Sequence, residues 1–321
     1  MSGSLRFTAA TIDDAEYWAD LWTDVDSDDP SDPVLTRHFW KNQPADQVAE
    51  RFIAISPDGQ RVGGAAHFHG PWDKMPTRYG QVRAGLFTAH TSRERLEQAF
   101  TFAEDRSRES GTAVFSTWVL ETEAERIDVL TSRGYAVERR AKMWQVDLVA
   151  NRERIESIVA SSRERMRAQG FRITTLDKVG GEDPVRRFWM LFELTTPDMP
   201  STVPYISIPF EEFVRGWMEA PSVRQDRIWI ALAGDDMVGY SMLTYPPVRG
   251  NVWNNGTATV REARGKGIAR ALKAESMLQA IELGVPRVRT GNDDSNAPIL
   301  HLNEDMGFGA IDGAIQYLKQ A

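Results

Sequence analysis

The chain has 321 residues, a formal net charge of −8, no cysteine and 41% apolar residues, a composition sufficient for two domains of about 150 residues each. The lack of cysteine excludes disulfides, thiolate metal sites and a cysteine nucleophile, and the acidic balance argues against binding to nucleic acid or anionic membranes. The N-terminus has no apolar signal core and no run reaches membrane-spanning length, so we expect a cytoplasmic protein.

The first half predicts alternating strands and helices. After a strand over 5–11, a helix over 12–22 carries Ala15, Trp18, Ala19 and Trp22 on one side. The acidic run from 24 to 32, broken by prolines, predicts a solvated loop. His67 and His69 lie on one face of a predicted strand, where we predict no metal site. The other predicted elements are strands over 51–55, 61–68, 82–88, 113–120, 135–138 and 142–148, and helices over 93–108 and 121–132.

The second half repeats this order of elements. Residues 51–63 match 227–239 without a gap, and farther on Gly111 corresponds to Gly284 and Gly134 to Gly307 at one constant offset. We therefore predict an N-terminal domain over 1–150, a linker helix over 151–169 and a C-terminal domain over 170–321. The elements predicted in the second copy are strands over 171–176, 227–233, 238–245 and 256–260, and helices over 184–194 and 210–218.

One stretch of the second copy, from Thr259 to Leu272, has the pattern of an anion site. A β-branched run ends, two glycines with basic neighbours follow, and an apolar pattern of helical spacing begins at Ile268. Glycines let a phosphate approach the backbone, and the unpaired N–H groups and dipole of a helix N-terminus attract it. By itself, Gly-x-Gly is equally typical of an ordinary tight turn. The residues concerned are Arg264, Gly265, Lys266 and Gly267.

These residues resemble the signature of the GNAT superfamily of acyl-CoA-dependent N-acetyltransferases, which reads Arg/Gln-x-x-Gly-x-Gly/Ala and occurs here as Arg264-x-x-Gly267-x-Ala269. Residues 296–308, which end in Gly307-Phe308, are similar to the family's late helix and lie at family-like spacing. The resemblance implies an α/β (α+β) fold of two tandem GNAT domains, each a mixed, mostly antiparallel sheet flanked by helices. Tandem GNAT proteins of actinobacteria, including mycothiol-synthase-like proteins, have this architecture.

The resemblance also implies an activity, the transfer of an acetyl group from acetyl-CoA to a primary amine of a small molecule by direct attack in a ternary complex. The Val260 backbone N–H is the expected oxyanion donor. Asn303 stands where many members have a tyrosine that protonates the leaving thiolate, and an amide cannot act as a general acid. Expected coenzyme contacts are Thr259, Val260, Arg261, Arg264, Gly265, Lys266, Gly267, Ile268, Ala269, Asn292, Asn296 and Asn303. Expected acceptor contacts are Glu193, Asp198, Tyr205, Tyr240 and Asp293; Tyr240, Tyr245 and Asp293 are candidate acids, and Glu193 and Asp293 candidate bases.

The first copy differs from the second at the glycine loop. At the offset of the repeat, Glu94 stands opposite Gly267 and Glu123 opposite Asn296. A carboxylate opposes a pyrophosphate electrostatically, so we expect coenzyme A to bind the second copy only.

Two alternative functions remain: a non-catalytic acyl-CoA-binding or sensing protein, and an acetyltransferase of peptide or protein amines. We expect a monomer, because a tandem chain supplies internally the pairing that single-domain relatives obtain by dimerising.

Overall fold

A computed structural model describes residues 4–321, and these residues form two units. Unit 1 contains the residues up to Ala141 together with Val248–Gly250 and Asp312–Ala321, and unit 2 contains Lys142–Pro247 and Asn251–Ile311. The predicted ranges differ from these units, because the last strand belongs to unit 1 and the helix predicted as a linker belongs to unit 2. The ranges 1–150, 151–169 and 170–321 stay a prediction about which parts of the chain fold independently. No helix within residues 4–321 is long and apolar enough to cross a membrane.

Unit 1 has a mixed sheet in the order β1-β2-β3-β4-β5-β12, in which β4 and β5 are parallel and the other neighbours are antiparallel. Its strands are β1 (Arg6–Ala9), β2 (Val48–Ile55), β3 (Arg61–His69), β4 (Tyr79–Leu86), β5 (Val114–Leu120) and β12 (Gly309–Gln320), of which β12 begins in unit 2. Its helices are α1 (Ala15–Val25), α2 (Pro33–Lys41), α3 (Arg93–Glu109) and α4 (Ala124–Ser132).

Unit 2 has the order β6-β11-β10-β9-β8-β7, with β10 and β11 parallel and β7 to β10 antiparallel. Its strands are β6 (Ala136–Asp147, beginning in unit 1), β7 (Phe171–Thr175), β8 (Ile228–Ala233), β9 (Asp236–Thr244), β10 (Val252–Thr259) and β11 (Arg287–Asp293). Its helices are α5 (Arg152–Ala168), α6 (Pro184–Thr195), α7 (Phe210–Phe213), α8 (Ile268–Glu282) and α9 (Ala297–Asp305). The mixed, mostly antiparallel sheet expected for each copy is confirmed.

Helix α2 lies where the sequence predicts only loop. Asp32 ends the acidic run, but its carboxylate accepts hydrogen bonds from the backbone N–H groups of Val34 and Leu35. Pro33 follows at the first helical position, where its fixed φ favours a helix. The predicted solvated loop therefore ends before Asp32, which is only 5% exposed because one carboxylate oxygen caps the helix and the other accepts the backbone N–H groups of Val248 and Arg249.

The tandem repeat is visible element by element. β4 begins at Tyr79 and β10 at Val252, an offset of 173 residues that β5 and β11, α4 and α9, and β6 and β12 share. Gly111 and Gly284, which follow α3 and α8, have φ of 94° and 76°. Gly134 and Gly307, which follow α4 and α9, have φ of 85° and 86°. These left-handed positions explain why glycine recurs at both pairs.

The constant offset fails at the start of the helix after the glycine loop. α3 begins directly after Ser92, which caps it by accepting the Arg95 backbone N–H at 3.4 Å, and α8 begins directly after Gly267. The 3₁₀ turn before each helix is followed by two residues in unit 1 and by four in unit 2. Glu94 therefore lies in the first turn of α3, and the residue opposite Gly267 is Ser92. The correspondence of Glu94 with Gly267 is wrong, because the first copy has a shorter loop.

Candidate active site

Strands β10 and β11 separate after a short parallel contact. Their pairing is restricted to Val252↔Val288 and Trp253↔Arg289. The pairing of β10 with β9 is interrupted directly afterwards by a bulge between Asn254 and Gly256, and bulges next to sites redirect the backbone. Beyond Trp253, the edge of β10 that faces β11 therefore has no partner strand, and a cleft opens between the two strands.

The pairing of β10 decides which of its N–H groups are available. The Val260 N–H donates to the Val238 carbonyl at 3.0 Å, so the prediction of Val260 as oxyanion donor is wrong in this structure. Hydrogen-bonding direction alternates along an antiparallel strand, so Thr257 and Thr259 direct their N–H groups towards the cleft. The Thr259 hydroxyl is buried and has no hydrogen-bond partner within the described chain.

The glycine loop connects β10 to α8 through a 3₁₀ turn at Arg261–Ala263. Gly265 and Gly267 have φ of 75° and 88°, a conformation that a side chain would strain. Within residues 4–321, the backbone N–H groups of residues 265–270 have no acceptor, and the first helical bond is from Ala271 to the Gly267 carbonyl at 3.0 Å. Successive free N–H groups at a helix N-terminus form a concave site for an anion.

Two arginines of the loop share one carboxylate. Arg264 donates through Nε to the Thr259 carbonyl at 3.1 Å and pairs with Asp198, and Arg261 pairs with the same carboxylate. Hydrogen bonds from Arg261 and Arg264 hold the pKa of Asp198 well below its usual range. Asp198 is an expected acceptor contact, but the structure makes it an anchor of the glycine loop.

Helix α5 contributes residues that sequence reasoning missed. Gln169, directly after α5, donates to the Lys266 carbonyl at 3.2 Å. A Cβ built at Gly267 would lie 3.2 Å from the guanidinium carbon of Arg165. Arg165 therefore places a cation beside the loop from a helix that the sequence predicts only as a linker. No local signal identifies it, because its position depends on how α5 packs against α8.

A fully buried lysine controls two predicted coenzyme residues. Lys273 of α8 donates to the Asn303 side-chain oxygen at 2.5 Å, and the Asn303 amide nitrogen donates to the Asn292 oxygen at 2.8 Å. Lys273 and Asn303 are both 0% exposed, and burial lowers the pKa of Lys273 to about 7. An ammonium only donates, so this chain fixes both amide orientations and leaves the Asn292 amide N–H groups available at the cleft end of β11.

Two of the predicted acceptor residues contact each other directly. Glu193 accepts hydrogen bonds from the Tyr205 hydroxyl and from the Ile208 N–H at 3.2 Å, so these residues hold the loop after α6. Burial and Glu193 raise the pKa of Tyr205. Tyr240 is 2% exposed, and burial raises its pKa to about 12. Asp293 accepts the Ser295 N–H at 3.0 Å in the turn before α9.

Four further predicted residues take structural positions. Ile268 is buried in the core below the start of α8, and Ala269 follows in the first turn. Asn296 is the half-buried residue directly before α9. Tyr245, at the end of β9, has its hydroxyl buried without a partner within residues 4–321, and burial raises its pKa to about 12.

Side chains of unit 1 occupy its own equivalent of the cleft. β4 and β5 pair from Tyr79↔Val114 to Gln81↔Ser116 and then separate. A Cβ built at Gly85, beyond that point, would lie 2.9 Å from Trp22 and 3.2 Å from the Arg126 guanidinium. The residue of unit 2 that corresponds to Arg126 at the repeat offset is the aliphatic Ile299. Trp22 and Arg126 therefore lie at the position in unit 1 that is equivalent to the cleft, and the turn before α3 over residues 88–92 contains no glycine.

The paired histidines both contact other side chains of unit 1. His67 contacts the Glu50 carboxylate at 2.9 Å, and His69 contacts the Ser110 hydroxyl at 2.6 Å and stacks on Trp72. Across residues 4–321, no group of three or more histidine, aspartate or glutamate side chains could hold a metal ion. The two histidines are accounted for by packing and hydrogen bonding.

Comparisons with known proteins agree with this geometry. The sequence model of the acetyltransferase (GNAT) family matches residues 188–308, which include α6, the cleft, the glycine loop and α9. No curated protein sequence matches the chain. The family match thus covers the part of unit 2 in which the free N–H groups lie.

Solved structures share the fold at low sequence identity. A tandem GNAT protein from the clavulanic acid biosynthesis pathway, solved without AcCoA, has a TM-score of 0.71 and 14% identity over 99% of this chain and 98% of that one. A GCN5-related N-acetyltransferase from Sphaerobacter thermophilus has a TM-score of 0.68 and 17% identity over 98% and 95%. FemX has a TM-score of 0.58 and 10% identity over 98% and 97%. The chain therefore carries a GNAT-family acyltransferase domain over residues 188–308, within a fold that it shares with tandem GNAT proteins.

Proposed function

We propose that this protein is an acetyl-CoA-dependent N-acetyltransferase that acetylates a primary amine of a small molecule by direct attack in a ternary complex. The observation that carries the proposal is the run of free backbone N–H groups over residues 265–270, next to the cleft between β10 and β11. Coenzyme A, when bound, supplies the acetyl thioester. A cytoplasmic location and a monomeric state remain predictions.

The residues present fit the coenzyme. The free N–H groups of the glycine loop suit a pyrophosphate, and Arg165 and Lys266 add positive charge. The orphaned Thr259 hydroxyl and the cleft-facing N–H groups of Thr257 and Thr259 suit the amide groups of a pantetheine arm. The Asn292 amide lies on the opposite strand of the same cleft. Buried polar groups require hydrogen-bond partners, and the phosphate and amide groups of coenzyme A would supply partners for these N–H and hydroxyl groups.

The bulge in β10 replaces Val260 as the proposed source of oxyanion stabilisation. Asn255 is the extra residue of the bulge and has no ladder partner in β9, although its side-chain amide donates to the Thr244 hydroxyl at 2.7 Å, and it lies where β10 and β11 begin to separate. We propose that the Thr257 backbone N–H, which faces the cleft next to this bulge, donates to the negative charge that develops on a carbonyl oxygen there. A preorganised backbone donor of this kind stabilises that charge by about 3 to 4 kcal/mol.

Asn303 has a positioning role in this proposal. Its side-chain oxygen accepts from Lys273 and its amide nitrogen donates to Asn292, so it is committed to two hydrogen bonds and has no acidic proton. We propose that the leaving thiolate is protonated by solvent. A thiolate does not require a dedicated acid, because the pKa of an ordinary thiol is only about 8.5 and the thiolate is therefore a good leaving group.

The acceptor site is proposed on the other side of the cleft, at the loop after α6. Glu193, in the last turn of α6, accepts a hydrogen bond from the hydroxyl of Tyr205 in this loop, and the polar groups of both would orient an amine. A peptide or protein amine is the alternative acceptor. A non-catalytic coenzyme-binding protein is the other alternative, and the commitment of Asn303 to Lys273 and Asn292 is the observation that favours it.

Calorimetric titration with acetyl-CoA tests the proposal. We expect one site per chain in the wild type. The Gly267→Glu variant should lose about a hundredfold in affinity, because it strains a left-handed residue and places a carboxylate at the anion site. Gly234→Glu is the matched control, since Gly234 also has a positive φ of 59°, lies in the same unit and has no atom within 4 Å of the position that a Cβ would take.

Turnover then separates the alternatives. Release of free thiol with a panel of small amines supports the proposed reaction, and release only with peptides moves the assignment to peptide or protein amines. Binding without turnover on any amine would favour the non-catalytic role. Absence of acetyl-CoA binding to the wild type would refute the coenzyme site itself.

A further inference from the structure

Unit 2 contains a cavity that the coenzyme site does not use. The cavity has a volume of about 590 Å³ and lies between helix α5, the edge strand β7, β8 and α8. None of its lining residues belongs to the loop over 259–270 or to the cleft between β10 and β11. Its size is in the range of sites that bind small molecules. The residues that matter for its chemistry are Arg163, Arg167, Arg172, Thr175, Lys178 and Trp229.

The lining of the cavity carries excess positive charge. Arg163 is neutralised by Glu275, to which it donates two hydrogen bonds of 2.7 and 2.8 Å. Arg167, Arg172 and Lys178 have no carboxylate partner within residues 4–321. Three unpaired cations around one cavity, in a chain with a net charge of −8, form a local attraction for anions.

The wall of the cavity includes a buried hydroxyl without a partner. Thr175 is 3% exposed, and its Oγ1 has no hydrogen-bond partner within the described chain. A buried hydroxyl that bonds to nothing costs about 1 to 3 kcal/mol. An acceptor oxygen on a bound molecule would relieve that cost. This observation is independent of the surface charge.

The same cavity has an apolar wall. Trp229 lines it, and the Trp229 indole N–H is already bonded to the Gln279 side chain at 2.9 Å, so the ring is left for apolar contact. Phe171 and Ile173 of β7 line the cavity as well. A bare inorganic ion would leave these surfaces unused, whereas a carbon skeleton would cover them.

We infer that this cavity is a second ligand site, which binds a small organic polyanion whose carboxylate or phosphate groups contact Arg167, Arg172 and Lys178 while its carbon skeleton lies against Trp229. Carboxylate and phosphate share the chemistry that guanidinium groups recognise. The inference does not depend on the proposed acetyl transfer, because the two sites share no residue.

Titration calorimetry of the full chain in low salt tests the inference, with citrate as the tricarboxylate probe and fructose 1,6-bisphosphate as the phosphate probe. The titrations use the Gly267→Glu background, so that the glycine loop does not bind the probes. We expect one site per chain for at least one probe. Affinity should fall as ionic strength rises, because exposed charges are screened.

Variants of the cavity locate the binding. Arg172→Gln should weaken the probe about tenfold, which corresponds to the loss of one charged contact. Thr175→Val, which removes the hydroxyl at nearly constant volume, should weaken it as well. Arg152→Gln is the matched control, because Arg152 lies on α5 but outside the cavity.

Each result is decisive for the second site. Loss of affinity in Arg172→Gln with wild-type affinity in Arg152→Gln supports the site, and the better of the two probes identifies the anionic group. Equal affinity in all variants, or no binding of either probe at millimolar concentration, overturns the inference. Acetyl-CoA binding to the wild-type chain is measured separately, so a failure here leaves the proposed function standing.

Discussion

Replacement of Lys273 by methionine tests the most unusual feature of unit 2. Lys273 is 0% exposed and contacts no carboxylate within residues 4–321; its ammonium bonds to Asn303 and lies 4.6 Å from the Phe308 ring centre. Methionine keeps the length of the side chain and removes the charge. Because burial depresses the pKa of Lys273 from 10.5 to about 7, the folded protein binds its proton less tightly than the unfolded chain does.

The sign and size of the effect follow from proton linkage. Between pH 7 and 10.5 the unfolded chain holds more protons at this lysine than the folded protein does, so the contribution of Lys273 to wild-type stability should rise with pH in this window. The destabilisation by Lys273 is about 5 kcal/mol well below pH 7 and disappears above pH 10.5. About 2 kcal/mol of this destabilisation should disappear as the pH is raised from 7 to 9. Lys273→Met should lack this rise.

At pH 7 the methionine variant should be the more stable protein. It escapes a charge-burial cost of about 4 kcal/mol, and it leaves the Asn303 oxygen unpaired at a cost of about 1 to 3 kcal/mol. The net gain is therefore about 1 to 3 kcal/mol. Because Asn303 and Asn292 would lose their fixed orientation, we also expect the KM for acetyl-CoA to rise while unfolding stability improves.

Urea unfolding followed by tryptophan fluorescence at pH 7 and pH 9 measures the difference. Lys41→Met is the control, since Lys41 is exposed at the end of α2 and its replacement should leave the pH dependence unchanged. If wild type and Lys273→Met gain the same stability between the two pH values, Lys273 is not buried as a lone charge and the reasoning fails.

Three further predictions concern the glycine loop, the acceptor loop and unit 1. Arg264→Gln should weaken acetyl-CoA binding about tenfold with little loss of stability, as measured by calorimetry and thermal unfolding, because the loop loses its bonds to Thr259 and Asp198. Tyr205→Phe removes the hydrogen bond to Glu193 and should lower the free energy of unfolding in urea by about 1 kcal/mol. It should change the KM for the amine but not the KM for acetyl-CoA; equal changes in the two KM values would argue against an acceptor role. Glu94→Gly should leave one acetyl-CoA site per chain, because the short loop before α3 is unchanged. A second site in titration calorimetry would show that the Glu94 carboxylate, and not the length of the loop, prevents acetyl-CoA from binding to unit 1.

Local sequence patterns determined the elements and the glycine loop. The helix over 12–22, the hairpin at 51–63 and its repeat at 227–239 were predictable, because apolar spacing and turn residues are encoded by neighbouring positions. Gly265 and Gly267 were predictable for the same reason, since both have the positive φ that only glycine adopts easily. The tandem order could be counted directly from the glycines that recur after α3 and α8.

Tertiary structure decided which groups of the site are free. The Val260 N–H is taken by Val238, and Asp198 is taken by two arginines, because strand register and loop packing select the partners. The buried contact of Lys273 with Asn303 joins residues 30 positions apart in sequence and depends on how α8 packs against α9. The sequence by itself thus determined where most of the elements and the glycine loop lie. Only the folded arrangement decided which donors, carboxylates and cations remain available to a ligand, since that depends on contacts between residues distant in the chain.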